Sequence, residues 1–363
     1  MIGGYAPSLL NFRGPLLDAM CQAGHDVLAC APEMSREVRL GVEALGARAT
    51  EVPMARTGLS PTKDLGTLRV LKRLFRAECP DRVLAYTAKP VIYANLAAGR
   101  RWPVYSMITG AGYAFGTWSR RQKAVGALVR TLYRQALRRS RGVFFQNPDD
   151  RAIFQRYGLL PRDLPITMIN GSGVELDWYR PAPLPSQPVF LLIARLLADK
   201  GIREYVEAAR RLKARWPKAR FQLAGWMDPN PMSVQPDELE AWQRSGVIEY
   251  LGHLNDVRPA YAGCRVYVLP SYREGTPRTV LEAMATGRPI VTTDAPGCRE
   301  TVMDGFNGTL VPVRDADGLE RAMERFLEKP ALAEEMGTNG LAVVREKYDV
   351  HKVNRVIMDA MGL

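Results

Sequence analysis

Glu274 and Glu282 stand in the run Val268-Leu-Pro-Ser-Tyr-Arg-Glu-Gly-Thr-Pro-Arg-Thr-Val-Leu-Glu-Ala-Met-Ala-Thr-Gly-Arg-Pro-Ile-Val291. Two glutamates at that spacing arise by chance about once in a chain this long, so the signal is their context. That context is a strand end, a Gly-Thr-Pro turn, a helix and a second strand. Thr276 is expected as the helix N-cap and Pro277 as its first residue. The free amides and dipole of a helix starting there suit a diphosphate. A second segment, Ile193-Ala-Arg-Leu-Leu-Ala-Asp-Lys-Gly-Ile-Arg-Glu-Tyr205, places Arg195 at a strand end and Lys200 shortly after. Both cations can point into one crevice; taken singly, each reads equally as a solvated loop cation.

The elements that must position these residues alternate in kind. Apolar runs at Val27–Ala31, Arg82–Tyr86, Val104–Ile108 and Gly142–Gln146 read as buried strands, with helical spacing between them, as at Asp64–Ala77. The second half repeats the scheme at Val189–Ala194, Arg220–Ala224, Val247–Leu251, Val266–Leu269 and Ile290–Thr293. Such alternation predicts an α/β fold of parallel sheets with helices on both faces, and ligands at the carboxyl ends of the strands. At 363 residues the chain exceeds what one core usually serves, which predicts two domains. The four prolines of Arg180-Pro-Ala-Pro-Leu-Pro-Ser-Gln-Pro188 predict a stiff connector, hence domains 1–180 and 181–345 with a helical tail at 346–363. Met1-Ile-Gly-Gly4 reads as the tail of a strand whose opening residues are missing, or as a short edge strand.

Apolar residues make up 47% and charged residues 24%, a globular composition that argues against extended disorder. Val189–Ala194 falls far short of the roughly 20 apolar residues of a membrane span. Arg13 and Asp18 interrupt any signal-peptide core, which predicts a cytoplasmic chain. The five cysteines are scattered and read as reduced thiols. A net charge of +12 predicts an anionic partner: nucleic acid, anionic lipid or a phosphorylated substrate.

The Glu274–Glu282 segment closely resembles the E-x7-E signature of family four retaining glycosyltransferases, which have the GT-B fold of two Rossmann-like domains facing across a cleft. The resemblance implies that Glu274 contacts the transferred sugar near its 3-hydroxyl and that Glu282 holds the ribose hydroxyls of the nucleotide. Around Gly275, Thr276, Pro277 and Arg278, backbone amides would hold diphosphate oxygens, Pro277 itself having none to offer. Arg195 and Lys200 match the family's diphosphate clamp, where fixed cations favour the departing, increasingly negative diphosphate. Gly225 and Asp228 would line the nucleotide pocket, and His253 with Leu254 matches the loop that reads the base; an ordinary turn and a structural histidine are the alternatives. Asp315-Ala-Asp317 has the spacing of a D-x-D metal motif but is expected to cap a helix. No metal or cofactor is expected beyond the substrate, a UDP-sugar.

The first half is expected to bind the acceptor through Gly3, Gly4, Asn11, Arg13, Thr109, Gly110, Gly112 and Tyr113. These loops, with Asn170-Gly-Ser-Gly-Val-Glu175, resemble those of bacterial enzymes that extend undecaprenyl-diphosphate-linked sugars, N-acetylgalactosaminyltransferases among them. Tail residues 346–363 are then expected to cross back to the first domain. Arg120, Arg121, Lys123, Arg130 and Arg134 lie in a basic stretch from Trp118 to Arg141 with apolar residues at helical spacing. Either an amphipathic helix at the cytoplasmic face of an anionic membrane or a packed helix with a solvated basic face fits it. Nucleic-acid binding is the rival from another class; no helix-turn-helix, zinc-finger or RNP motif accompanies the basic stretch. An epimerase of the same fold and a dinucleotide oxidoreductase rank lower, the latter for want of a placed G-x-G-x-x-G.

Overall fold

The structure is a computed structural model that describes all residues except 56, 57, 59, 112–114, 116–119 and 228–232. The chain forms two compact units. Unit 1 comprises Met1–Ser172 with His351–Leu363, and unit 2 comprises Gly173–Val350.

In unit 1 the strands are β1 (Leu28–Ala31), β2 (Arg48–Glu51), β3 (Val83–Tyr86), β4 (Val104–Ile108), β5 (Gly142–Phe145) and β6 (Ile166–Met168), all paired in parallel. Ile2 bridges Cys30 of β1 and Ala85 of β3, so the sheet runs β2-β1-Ile2-β3-β4-β5-β6. The Met1–Gly4 run is thus central, not an edge strand. The strand order reverses at Ile2, the doubly wound arrangement whose switch point hosts ligands. The terminal helix Val350–Met361 buries Val353, Ile357 and Met361 among Leu84, Tyr86 and Phe144 of unit 1.

Unit 2 holds β7 (Val189–Ile193), β8 (Arg220–Ala224), β9 (Glu249–Tyr250), β10 (Val266–Leu269), β11 (Ile290–Thr293) and β12 (Gly308–Val311). Their order is β12-β11-β10-β7-β8-β9, again reversing after the first strand, between β7 and β10. β7, β10 and β11 are buried along their whole length, as strands covered by helices on both faces must be. One face packs on the helices Ile202–Arg215 and Ala316–Glu328 through Tyr205, Leu212, Leu319 and Met323, the other on Arg278–Ala285 through Leu281 and Met284.

The boundary falls at Ser172/Gly173 rather than at residue 180. Val174 pairs with Asp349, and its amide donates to Tyr348 O at 2.8 Å, which commits the chain to unit 2 early. The proline-rich segment is no free connector. Prolines donate nothing but still accept, and the buried Arg288 guanidinium donates to Ala182 O and Pro183 O at 3.0 Å, while Arg265 donates to Pro185 O at 2.7 Å.

Candidate active site

The reversal of unit 2 opens the loops after β7 and β10 side by side. After β7 the chain turns through Arg195 into a tight turn at Ala198–Lys200, closed by Gly201 at φ 68°. A Cβ on Gly201 would stand 2.1 Å from Pro270 O, so only glycine lets the two loops pass. Tyr272 N donates to Asp199 O at 2.8 Å and stitches them together. The outcome is an ion pair: Lys200 Nζ lies 2.5 Å from Glu274 Oε1, with the side chains only 13% and 17% exposed. The loop after β11 supports Glu274 from the other side, Pro296 O accepting from Glu274 N at 2.9 Å.

Arg195 is half-buried on the same loop as Lys200. The expected pairing of those two cations on a diphosphate therefore meets a structure in which Lys200 holds the carboxylate of Glu274.

The helix after this loop is Arg278–Ala285, with Pro277 as its N-cap residue at φ −72° and ψ 105°. Thr276 is therefore not the cap and Pro277 not the first helical residue. The extended ψ of Pro277 delays the helix by one position, and Pro277 O accepts from Val280 N at 3.1 Å. Gly275 and Thr276 remain in the loop, half-buried beside Glu274.

Glu282, one turn inside the helix, is 7% exposed. Its Oε2 accepts from Tyr261 Oη at 2.9 Å and its Oε1 from Arg278 Nε at 3.0 Å. Burial pushes its pKa up; the Arg278 charge and hydrogen bonds from Tyr261, Tyr179 and Arg278 oppose that rise. Arg278 also reaches Glu175 at 3.5 Å. The sequence did not reveal Tyr179, Tyr261 and Glu175 as companions of Glu282. Glu175 and Tyr179 share one turn and Tyr261 comes from a distant segment, and only the fold unites them with Glu282.

Gly225, at φ 147°, would bring a Cβ within 1.8 Å of Ala194 O, and its amide donates to Gly252 O at 2.9 Å. The loops after β7, β8 and β9 are thereby tied together. His253 is exposed, its ring edge-on to Trp226 with centroids 5.4 Å apart, and Leu254 is half-buried beside them. Asp228 lies outside the described residues. Asp315 caps the helix Ala316–Glu328 by accepting from Gly318 N at 2.8 Å. Among the described residues no cluster of three or more His, Cys, Asp or Glu side chains could hold a metal.

In unit 1 the reversal at Ile2 brings Gly3 and Gly4 to the ends of β1 and β3. A Cβ on Gly3 would strike Tyr86 Oη at 2.3 Å, and one on Gly4 would approach Thr87 Oγ1 at 2.9 Å. Both glycines thus make room for the chain's own side chains. Arg13 is buried over the Tyr86 ring at 5.2 Å, and Ser8 Oγ lies 2.8 Å from Tyr86 Oη. Burial raises the Tyr86 phenol to about 12. Thr87 sits at φ 69° and ψ 164°, a conformation nearly reserved for glycine. No local sequence pattern announces this conformation. Thr109 and Gly110 follow β4, half-buried, and Asn11 is exposed. Gly112 and Tyr113 lie outside the described residues.

The basic helix spans Arg120–Leu137 and packs through Val129, Leu132, Tyr133, Ala136 and Leu137. Arg134 donates to Gly158 O and Tyr157 O at 3.1 and 2.9 Å, and Arg130 lies over the Tyr157 ring at 4.7 Å. Those two cations cover the end of the helix Pro148–Arg156, where positive charge complements terminal carbonyls. The side chains of Arg120, Arg121 and Lys123 lie outside the described residues. No helix of the described residues is long and apolar enough to cross a membrane.

Residues 187–329 match the family model for glycosyl transferases group 1, and residues 13–171 match that for a glycosyl transferase 4-like domain. N,N'-diacetylbacillosaminyl-diphospho-undecaprenol alpha-1,3-N-acetylgalactosaminyltransferase of Campylobacter jejuni is 26% identical over 92% of this chain and 90% of its own. The lipopolysaccharide core biosynthesis mannosyltransferase LpcC of Rhizobium leguminosarum is 35% identical over 52% of this chain and 57% of its own. Among solved structures, Anabaena HepE in complex with UDP superposes with a TM-score of 0.80 at 17% identity, covering 99% of this chain and 98% of that one. Sucrose-phosphate synthase from Thermosynechococcus elongatus does so at 0.77 and 20% identity, covering 95% and 90%. With glycosyltransferase models matching both halves and the same fold throughout, the chain belongs to the glycosyltransferases of GT-B fold.

Proposed function

We propose that this glycosyltransferase moves an N-acetylhexosamine from a UDP-sugar to a saccharide carried on a polyprenyl diphosphate, with retention of anomeric configuration. The observation that carries the reading is the half-buried Lys200–Glu274 pair at the sheet reversal, on the loop that holds Arg195 and the loop that leads into the helix of Glu282. A carboxylate held by a cation at that point can accept from a sugar hydroxyl while the cation faces a phosphate. The bond from the sugar C1 to the diphosphate oxygen breaks, its electron pair leaving with the diphosphate. The acceptor hydroxyl oxygen joins C1 on the same face, and its proton passes to the departing diphosphate. Arg195, Lys200 and the amides of Gly275, Thr276 and Arg278 oppose the charge that develops there, which lowers the barrier more than it tightens binding. Glu282 takes the ribose hydroxyls, while Gly225, Asp228, His253 and Leu254 surround the base. No resident metal or cofactor takes part.

UDP in the HepE complex supports the donor class, and the name of the Campylobacter relative supports both the sugar and the lipid-linked acceptor. The acceptor is assigned to Gly3, Gly4, Asn11, Arg13, Thr109, Gly110, Gly112 and Tyr113. We place the enzyme peripherally on the cytoplasmic face of the plasma membrane, drawn by Arg120, Arg121, Lys123, Arg130 and Arg134. A surface cation contributes about 1 kcal/mol toward an anionic leaflet. Arg130 and Arg134 contribute less because they also serve the neighbouring helix.

The deciding experiment screens nucleotide sugars for thermal stabilisation and UDP release, with and without undecaprenyl-diphosphate-linked saccharide, in the presence of EDTA. Release of UDP only with the lipid acceptor, unaffected by EDTA, is expected. Stabilisation without acceptor-dependent turnover refutes the acceptor, and no stabilisation by any UDP-sugar refutes the donor.

A further inference from the structure

Among the polar groups of unit 2, Glu282 is unusual in being a buried carboxylate within reach of both a guanidinium and two phenols. Tyr261 Oη and Arg278 Nε each occupy one of its oxygens, at 2.9 and 3.0 Å. Tyr179 is also hydrogen-bonded to it, and its ring meets that of Tyr261 edge-on at 6.3 Å. Tyr267, fully buried, is a third phenol close enough to feel its charge. Of these neighbours only Arg278 carries a positive charge, and it stands at the first helical position, one turn before Glu282. The Arg278 side chain is 15% exposed and spans from Glu282 to the more open Glu175.

A carboxylate accepts at two oxygens with about four lone-pair sites, so the bonds from Tyr261, Arg278 and Tyr179 leave room for one more donor, a ribose hydroxyl. That capacity is full only while the group is ionised. Protonated, one oxygen becomes a donor and the carboxyl accepts from a hydroxyl less strongly. Burial works toward the protonated form, and the Arg278 charge works against it.

We propose that Arg278 is a positioning residue for nucleotide recognition: it holds Glu282 ionised and aimed, so that a nucleoside diphosphate is read through the hydroxyls of its ribose. The Arg278 side chain then acts through Glu282, leaving the diphosphate to its backbone amide, and Glu175 steadies its far end. This rests on the reading that Glu282 receives the ribose. The groups that set the pH response are Arg278, Tyr261, Tyr179 and Tyr267 directly, and Glu175 through Arg278.

The test compares UDP with 2′-deoxy-UDP by calorimetry on the full chain, wild type against Arg278→Met and Arg278→Lys, across pH 6 to 8. A hydroxyl donating to a charged acceptor predicts that the wild type prefers UDP by about tenfold or more. In Arg278→Met the preference is expected to collapse toward unity at neutral pH and to return partly as pH rises and Glu282 deprotonates. Arg278→Lys is expected to keep most of it. A preference undiminished in Arg278→Met, with the wild-type pH profile, overturns the proposal. A wild type that does not distinguish the two nucleotides refutes the ribose reading instead. In that event carbon-13 carboxyl NMR of labelled glutamates in the unliganded protein, with Glu282→Gln identifying the signal, still decides the Arg278 role. An upward move of the Glu282 titration in Arg278→Met supports it, and an unmoved titration overturns it. Arg278→Gln, which also removes the charge, serves the same measurement if Arg278→Met does not fold.

Discussion

Replacing Lys200 by alanine tests whether the pair at the sheet reversal works as a unit. The Lys200 ammonium and Glu274 carboxylate meet at 2.5 Å with little solvent about either side chain. Removing one member of a fully buried pair costs roughly 3–5 kcal/mol, because the other is left charged without compensation. Here each side chain keeps a fraction of its exposure, which lets water answer part of the charge, so a loss of about 2 kcal/mol is expected. For a body of this size that is a fall of roughly 4–8 °C in Tm. Glu274→Gln added to Lys200→Ala removes the stranded charge and should recover most of the Tm. Turnover behaves differently. If Lys200 opposes charge on the departing diphosphate, kcat falls on the order of 10²-fold in Lys200→Ala and does not recover in the double variant. The assay is a double-mutant cycle read twice, by calorimetric unfolding and by UDP release under saturating donor. Turnover of Lys200→Ala within about threefold of wild type would refute the transition-state role. A double variant no more stable than Lys200→Ala would refute the pair itself.

Gly201→Ala sets a Cβ against Pro270 O in a left-handed backbone, so the loops after β7 and β10 must part. A loss of roughly 1–3 kcal/mol in urea unfolding, with weakened UDP-sugar affinity, is expected. Arg288→Met deprives the carbonyls of Tyr261, Ala182 and Pro183 of their donor in the interior, and about 3 kcal/mol of stability should go with them. The amino terminus of Met1 is buried and donates to Leu28 O at 2.7 Å, and desolvation lowers its pKa below the ordinary 8.0. In the window between the lowered folded value and 8.0 the unfolded chain binds the extra proton, so stability rises with pH there, is complete above 8.0 and declines as pH falls. Acetylation of that nitrogen should flatten this slope in chemical denaturation curves.

The alternation of apolar runs and helical spacing was enough to foresee parallel sheets, because buried parallel strands are apolar on both faces. What escaped were short or mixed strands. β2 is Arg-Ala-Thr-Glu, exposed at both ends, and β12 begins with a glycine whose Cβ would strike Ile290 O. The domain boundary was misread for a different reason. Proline content signals stiffness, but it says nothing about who accepts from whom, and the carbonyls of Ala182, Pro183 and Pro185 are bound by two arginines far along the chain.

Legibility of the site divides along the same line between local and long-range order. In unit 2 the strand, tight turn and helix around Glu274 are contiguous in sequence, so the loop could be placed at the strand end before any sheet order was known. The reversal between β7 and β10 then brings Lys200 to Glu274 across 74 positions, which no spacing rule foretells but the doubly wound order requires. In unit 1 the same reversal falls at Ile2, and there the equivalent loops carry Gly3, Gly4, Tyr86 and Thr87, residues whose types reveal little until the strands are paired. The two units thus present one topology with opposite chemistry at the switch point. Fixed opposite charges in unit 2 suit a reaction in which charge develops. At the switch point of unit 1 stand a phenol, a buried arginine, a strained threonine and two glycines, which suit shape recognition of a larger partner that carries negative charge. That division matches the donor and acceptor roles we propose for the two units, and it follows from where each sheet reverses rather than from any single motif.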